Sequence, residues 1–159
     1  MKKYFFLLVV FSMLMSSCSS TRKIVSKNNK VSTKADKIVD HAKKYIGTKY
    51  KFGGETTKGM DCSGLIFVAY KKENVALPRV SRFMAKEGNK IPLSKVKKGD
   101  LLFFRTNKSS QRINHVGLVS SVKNGKIQFL HATSSKGVIA SYLSQKYWEN
   151  AFVKANNVL

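Results

Sequence analysis

Three side chains in this chain could together carry out a nucleophilic attack: the thiol of Cys62 and the imidazoles of His115 and His131. Cys62 lies in the stretch GMDCSGLIFVAYKKEN, where an apolar-periodic run begins. A cysteine attacks as its thiolate, a minor species of a free thiol at neutral pH. Asp61 is a good N-cap residue, and Leu65, Ile66, Ala69 and Tyr70 form one apolar stripe. Cys62 is therefore predicted in the first turn of a helix, where unpaired N–H groups and the helix dipole favour negative charge. An imidazole within reach lowers the thiol pKa further by forming a thiolate–imidazolium pair. The residues alone leave two other readings open. Cys62 is a small buried hydrophobe, or it pairs with Cys18, the other of the chain's two cysteines. His115 is equally readable as a satisfied strand-end residue.

The elements that must position these groups fall into two halves. In ADKIVDHAKKYIG, the residues Ile38, Val39, Ala42, Tyr45 and Ile46 share a helical stripe, with Gly47 placed to cap it. His41 falls off that stripe and reads as a surface residue. TKYKFGGETTKGM reads as a loop, and the Cys62 helix follows. After that the pattern changes to short β-type runs: 99–104, 115–122, 126–133, 137–143 and 150–159. Asn124-Gly125 between two such runs is a strong hairpin signal. His115 opens the strand before this turn and His131 ends the strand after it. A bulge or longer loop between them brings one ring within hydrogen-bonding reach of the other. Helices first and antiparallel strands after read as an α+β fold.

The N-terminus has its own logic. Residues 1–17 carry Lys2 and Lys3, an apolar run from Tyr4 to Met15, and small residues before Cys18. The run is too short to span a bilayer and has the layout of a signal peptide. Ser16-Ser17-Cys18 resembles a lipobox, which implies lipid on Cys18; Ser19 resembles an outer-membrane sorting pattern. Residues 18–34 are Lys-, Ser- and Asn-rich without an acid, and read as a basic tether. Residues 35–159 are then the single folded domain. An exported chain whose Cys18 is lipidated leaves Cys62 alone, as a free reactive thiol or a partner in an intermolecular bond. Lys and Arg outnumber Asp and Glu by 30 to 8, a net charge of +22. That balance suits an anionic polymer or surface, and equally a lysine-rich surface that keeps the protein in solution. Nucleic acid fits poorly as the partner, because the lysines are dispersed and no reader motif is present.

Six motifs occur in order: YKFGG at 50–54, DCSGLI at 61–66, LPR at 77–79, GDLLFF at 99–104, NHVGLV at 114–119 and FLHAT at 129–133. Together they resemble the NlpC/P60 family of papain-like cell-wall peptidases, over about residues 35–159. The resemblance implies a papain-like fold, with N-terminal helices carrying the cysteine packed on an antiparallel sheet carrying the histidines. It implies Cys62 as nucleophile, His115 as general base and then acid, and His131 as the group that orients the His115 ring. Tyr50 resembles the family tyrosine whose hydroxyl assists the oxyanion. Asp61 and Ser63 flank the nucleophile, in capping or substrate contacts. Arg79, Ser81 and Arg82 stand where relatives line the substrate groove.

The activity implied is hydrolysis of an amide bond in peptidoglycan stem peptides or cross-links, through a thioester. The single-domain lipoprotein layout leans toward the D-alanyl–diaminopimelate cross-link, with the γ-D-glutamyl–diaminopimelate bond as the other choice. No cofactor is called for. No Cys-x-x-Cys or His-Glu-x-x-His occurs to supply metal ligands. The expected setting is a monomer held by its lipid at the periplasmic face of the outer membrane. An amidase or acyltransferase of the same fold and a catalytically silent wall-binding module are the competing readings.

Overall fold

The computed structural model describes residues 31–107 and 109–159. The expected signal peptide, the Cys18 anchor and the tether as far as Lys30 lie outside the described residues. Helix α1 (Lys34–Lys43) starts at Thr33, whose side chain accepts from the Asp36 N–H while the Asp36 carboxylate reaches back to Thr33. The last residues of the expected tether are thus already part of a capping box. Ile38, Val39 and Ala42 bury the predicted stripe. Ile46 does not belong to it: the helix stops at Lys43, and Ile46 is 53% exposed. Gly47 instead takes φ +87° and donates its N–H to the Val138 carbonyl, which ties the chain to the sheet.

The segment expected as a loop contains a two-residue ladder, β1 (Glu55–Thr56) with β2 (Gly59–Met60). It leads into α2 (Cys62–Lys71), the helix predicted from the DCSG stretch, which buries Leu65, Ile66, Ala69 and Tyr70. Short α3 (Ser81–Met84) and β3 (Asn89–Ile91) follow. The remaining strands are β4 (Leu101–Phe104), β5 (His115–Lys123), β6 (Lys126–Thr133), β7 (Gly137–Tyr142) and β8 (Phe152–Asn157). One six-stranded antiparallel sheet results, in the order β3-β8-β4-β5-β6-β7. The expected strand at 150–159 is shorter, because Lys146–Ala151 forms a helix, α4. Its N-terminus has no side-chain cap, so burial of Trp148 and Ala151 rather than local propensity holds it.

Both faces of this sheet are covered, which is why β4 is buried at all four positions. Leu101, Phe103, Val116, Leu118 and Leu130 pack against α1 and α2. Leu102, Phe104, Val119, Phe129 and Ala155 pack with Trp148 of α4 on the other face. The Asn124-Gly125 turn has both residues at positive φ, as a two-residue hairpin between Lys123 and Lys126 requires. Near the turn Val122 pairs with Ile127; past a bulge at Ser120, Val119 pairs with Phe129 and Leu118 with Leu130. That one extra residue decides the site. In an uninterrupted register His131 would lie across from Leu118, on the face opposite to His115. The bulge moves it across from Gly117, two residues from His115 and on the same face.

Candidate active site

Cys62 is the first residue of α2, and the Asp61 carboxylate caps the helix by accepting from the Gly64 N–H at 2.7 Å. The glycines around it are there for close approach. A Cβ on Gly64 would lie 2.1 Å from the Gly54 carbonyl oxygen, and one on Gly54 would lie 2.4 Å from the Gly59 oxygen. The YKFGG loop can therefore sit directly on the helix start, where Asp61 also accepts from the Gly53 N–H at 2.7 Å. Tyr50 pairs with Met60 in a parallel bridge, which keeps its ring beside the helix start.

The expected depressed thiol pKa is not what this pocket produces. Cys62 is 9% exposed, and burial pushes its thiol above the ordinary value. The N–H groups of Val116 and Ser63 pull the other way, and the Asp61 carboxylate adds to the rise. Desolvation outweighs the helix terminus here. Burial thus favours the neutral thiol over the thiolate at this position.

His115 and His131 are also neutral at rest. His115 Nε2 lies 3.0 Å from His131 Nδ1, and His131 Nε2 lies 2.9 Å from the Ser141 hydroxyl on β7. Trp148 stacks on His115 at 5.2 Å and 22°, and meets His131 edge-on at 4.5 Å. This aromatic cover excludes water. Burial draws His115 down to about 4 and His131 to about 3, the second lowered further by its neighbour. The unfolded chain therefore binds more protons than the folded one between about pH 6.5 and pH 4, and stability falls as the pH falls through that window. Thermal melts should show a lower Tm at pH 4.5 than at pH 7. The slope should flatten in a His115→Gln/His131→Gln double variant; an unchanged slope would count against neutral buried rings.

The third cluster is ionic. Arg79 bonds both carboxylate oxygens of Asp61 at 2.9 Å, Glu55 at 2.6 Å, the Ser63 hydroxyl at 2.9 Å and the Gly54 carbonyl at 3.2 Å. Burial alone would raise Asp61; Arg79 and the Gly64 and Gly53 N–H groups outweigh it and hold the carboxyl below its ordinary value. Tyr50 is raised, first by partial burial and then by the nearby thiol and Asp61.

Two grooves meet at the thiol. One, of about 680 Å³, runs past His115, Ser141, Tyr147 and Trp148. The other, of about 590 Å³, runs past Asp61, Ser63, Arg79, Ser81 and Arg82. Tyr50, Cys62 and Asn114 line both. The structure thus brings together Cys62, His115, His131, Tyr50, Asp61, Ser63 and Arg79, with Ser81 and Arg82 farther along the second groove. Arg82 is exposed and sits over the Phe83 ring at 4.8 Å. Sequence reasoning missed Glu55, Ser141 and Trp148. Only Trp148, the single tryptophan, carried any signal. Chemically, the arrangement places a thiol, an imidazole and the backbone N–H groups of a helix start along one cleft.

A profile of the family described as NlpC/P60 matches residues 47–157. The chain is 34% identical over 158 residues to the probable endopeptidase NlpC of Escherichia coli (strain K12), covering 97% of this chain and 99% of that protein. It is 33% identical over 124 residues to the murein DD-endopeptidase MepS/murein LD-carboxypeptidase of the same strain, covering 77% of this chain and 62% of that one. A Staphylococcus aureus subsp. aureus Mu50 structure of an NLP/P60 family protein, described as similar to lipoprotein, superposes with a TM-score of 0.68 at 34% identity. It covers 79% of this chain and 41% of its own. By this profile, these relatives and the shared fold, the chain belongs to the NlpC/P60 family.

Proposed function

We propose that the protein is a peptidoglycan endopeptidase that cleaves an amide bond through Cys62. The observation that carries this reading is the meeting of Cys62 and His115 in one cleft, with His131 bonded behind His115. With His115 Nε2 engaged by His131, Nδ1 is the nitrogen left for the thiol. Because both partners rest neutral, proton transfer accompanies attack. The sulfur bonds to the carbonyl carbon as His115 takes the thiol proton. The C–N bond then breaks, and His115 gives that proton to the leaving amine. Water attacks the thioester, passes a proton to His115, and the thiol is restored. The oxyanion is met by N–H groups at the α2 start and by the Tyr50 hydroxyl.

Asp61, Ser63 and Arg79 form the wall of the groove that receives one side of the substrate, with Ser81 and Arg82 beyond. The bond we assign is the D-alanyl–diaminopimelate cross-link, in keeping with a relative named as a murein DD-endopeptidase. Lipid on Cys18 and the basic tether would hold the domain, as a monomer, at the cell envelope. Incubation of the protein with purified peptidoglycan, followed by mass spectrometry, tests this reading. Loss of cross-linked dimers with gain of monomeric stem peptides is expected. Fragments cut after D-glutamate would reassign the bond, and no released peptide would overturn the proposal.

A further inference from the structure

Ser141 belongs to no sequence motif, yet its buried hydroxyl ends the hydrogen-bonded line that runs from His115 through His131. Its position follows from sheet register. His131 pairs across the ladder with Ile139, and Phe129 pairs with Ser141. Ser141 is therefore diagonal to His131 on the same face, as His131 is to His115. The two diagonal steps carry the line of polar atoms from β5 to β7. Trp148 lies against both rings and Phe129 against His131.

Two neutral imidazoles 3.0 Å apart share a single N–H. In one arrangement His115 Nε2–H donates to His131 Nδ1, His131 Nε2–H donates to Ser141, and His115 Nδ1 is bare. In the other, Ser141 donates to His131 Nε2, His131 Nδ1–H donates to His115 Nε2, and His115 Nδ1 carries the proton. Only the first leaves a lone pair for the Cys62 thiol. It also suits the His115 imidazolium formed on attack, which needs an acceptor, not a second N–H, at His131 Nδ1. A hydroxyl accepts as readily as it donates, so Ser141 permits the first arrangement. Without an oxygen there, a proton on His131 Nε2 would be buried with no partner, and the second arrangement would win.

We propose that Ser141 is a positioning residue: its hydroxyl accepts from His131 Nε2–H and so makes available the tautomer that leaves His115 Nδ1 free as base. This rests on the Cys62–His115 reading above, but its readout does not need activity. Long-range ¹H–¹⁵N spectra of histidine-labelled protein report which ring nitrogen bears the proton. Ser141→Thr keeps the hydroxyl and Ser141→Val removes it from the same shape, so packing is controlled. The threonine variant is expected to keep His131 protonated at Nε2 and to retain kcat within about threefold. The valine variant is expected to move the proton to Nδ1 and to lower kcat roughly tenfold to a hundredfold, with KM little changed. In a His131→Ala background, Ser141→Val should cost nothing further. Equal tautomers and equal kcat in the two variants would overturn the assignment, as would losses that multiply in the double variant. Should Cys62→Ala leave hydrolysis intact, the catalytic reading fails while the tautomer result still judges Ser141.

Discussion

Cys62→Ala is expected to lower the rate of stem-peptide hydrolysis by roughly 10⁴-fold or more, because no other group takes over the covalent step. Folding should survive. The side chain loses only its sulfur, where two grooves meet, and Tm should stay within about 3 °C of the parent. Loss of activity with an intact melt separates a nucleophile from a core residue. A hydrolysis rate within tenfold of the parent would remove the thiol from the mechanism. The pH behaviour follows from the same pocket. A raised thiol pKa means that alkylation of Cys62 by iodoacetamide should be slow at neutral pH and accelerate into the alkaline range. The acid limb of kcat/KM should lie low, near the value of about 4 to which burial draws His115.

Arg79→Met should be the most damaging change outside the catalytic groups. Asp61 is 8% exposed and Arg79 27% exposed, so the pair is largely withdrawn from water. Removing the guanidinium strands a buried carboxylate and takes a donor from the Ser63 hydroxyl and the Gly54 carbonyl. A loss of about 2–4 kcal/mol is expected, read as a Tm lower by about 6–15 °C. Activity should fall as well, since the same contacts hold the YKFGG loop and Tyr50 against the Cys62 helix. Arg79→Lys should recover only part of both, because an ammonium cannot span Asp61 and Glu55 with one planar fork. Asp61→Asn in the Arg79→Met background should restore some stability by neutralising the stranded charge. Thermal melts of the three variants decide it; an Arg79→Met protein as stable as the parent would make Arg79 a plain groove residue.

These effects sort by how far the sequence could see. The α2 start was legible, because an N-cap and an apolar stripe are local and need nothing beyond Asp61 to Tyr70. The β5–β6 hairpin was legible for the same reason: Asn-Gly accepts the left-handed backbone that a two-residue turn demands. Ile46 was misplaced because periodicity continues past Lys43 while the backbone turns off to meet Val138. Helix α4 was missed because six residues without a cap carry almost no local signal. Its existence depends on Phe104, Phe129 and both histidines offering Trp148 a surface.

By itself, the sequence determined that one thiol would stand at a helix start and that two imidazoles would stand on adjoining strands, in an α+β chain of the NlpC/P60 family. The tertiary structure alone decided which face the imidazoles share, since that turns on a single inserted residue at Ser120. It also decided that Arg79 braces the helix cap, and that Ser141, one strand farther, completes the polar line. The protonation state of the site belongs to the same class. Helix-terminus electrostatics are local and favour a thiolate, whereas desolvation is set by everything packed around Cys62, His115 and His131. Burial is the larger effect here, pushing the thiol pKa up and the imidazole pKa values down.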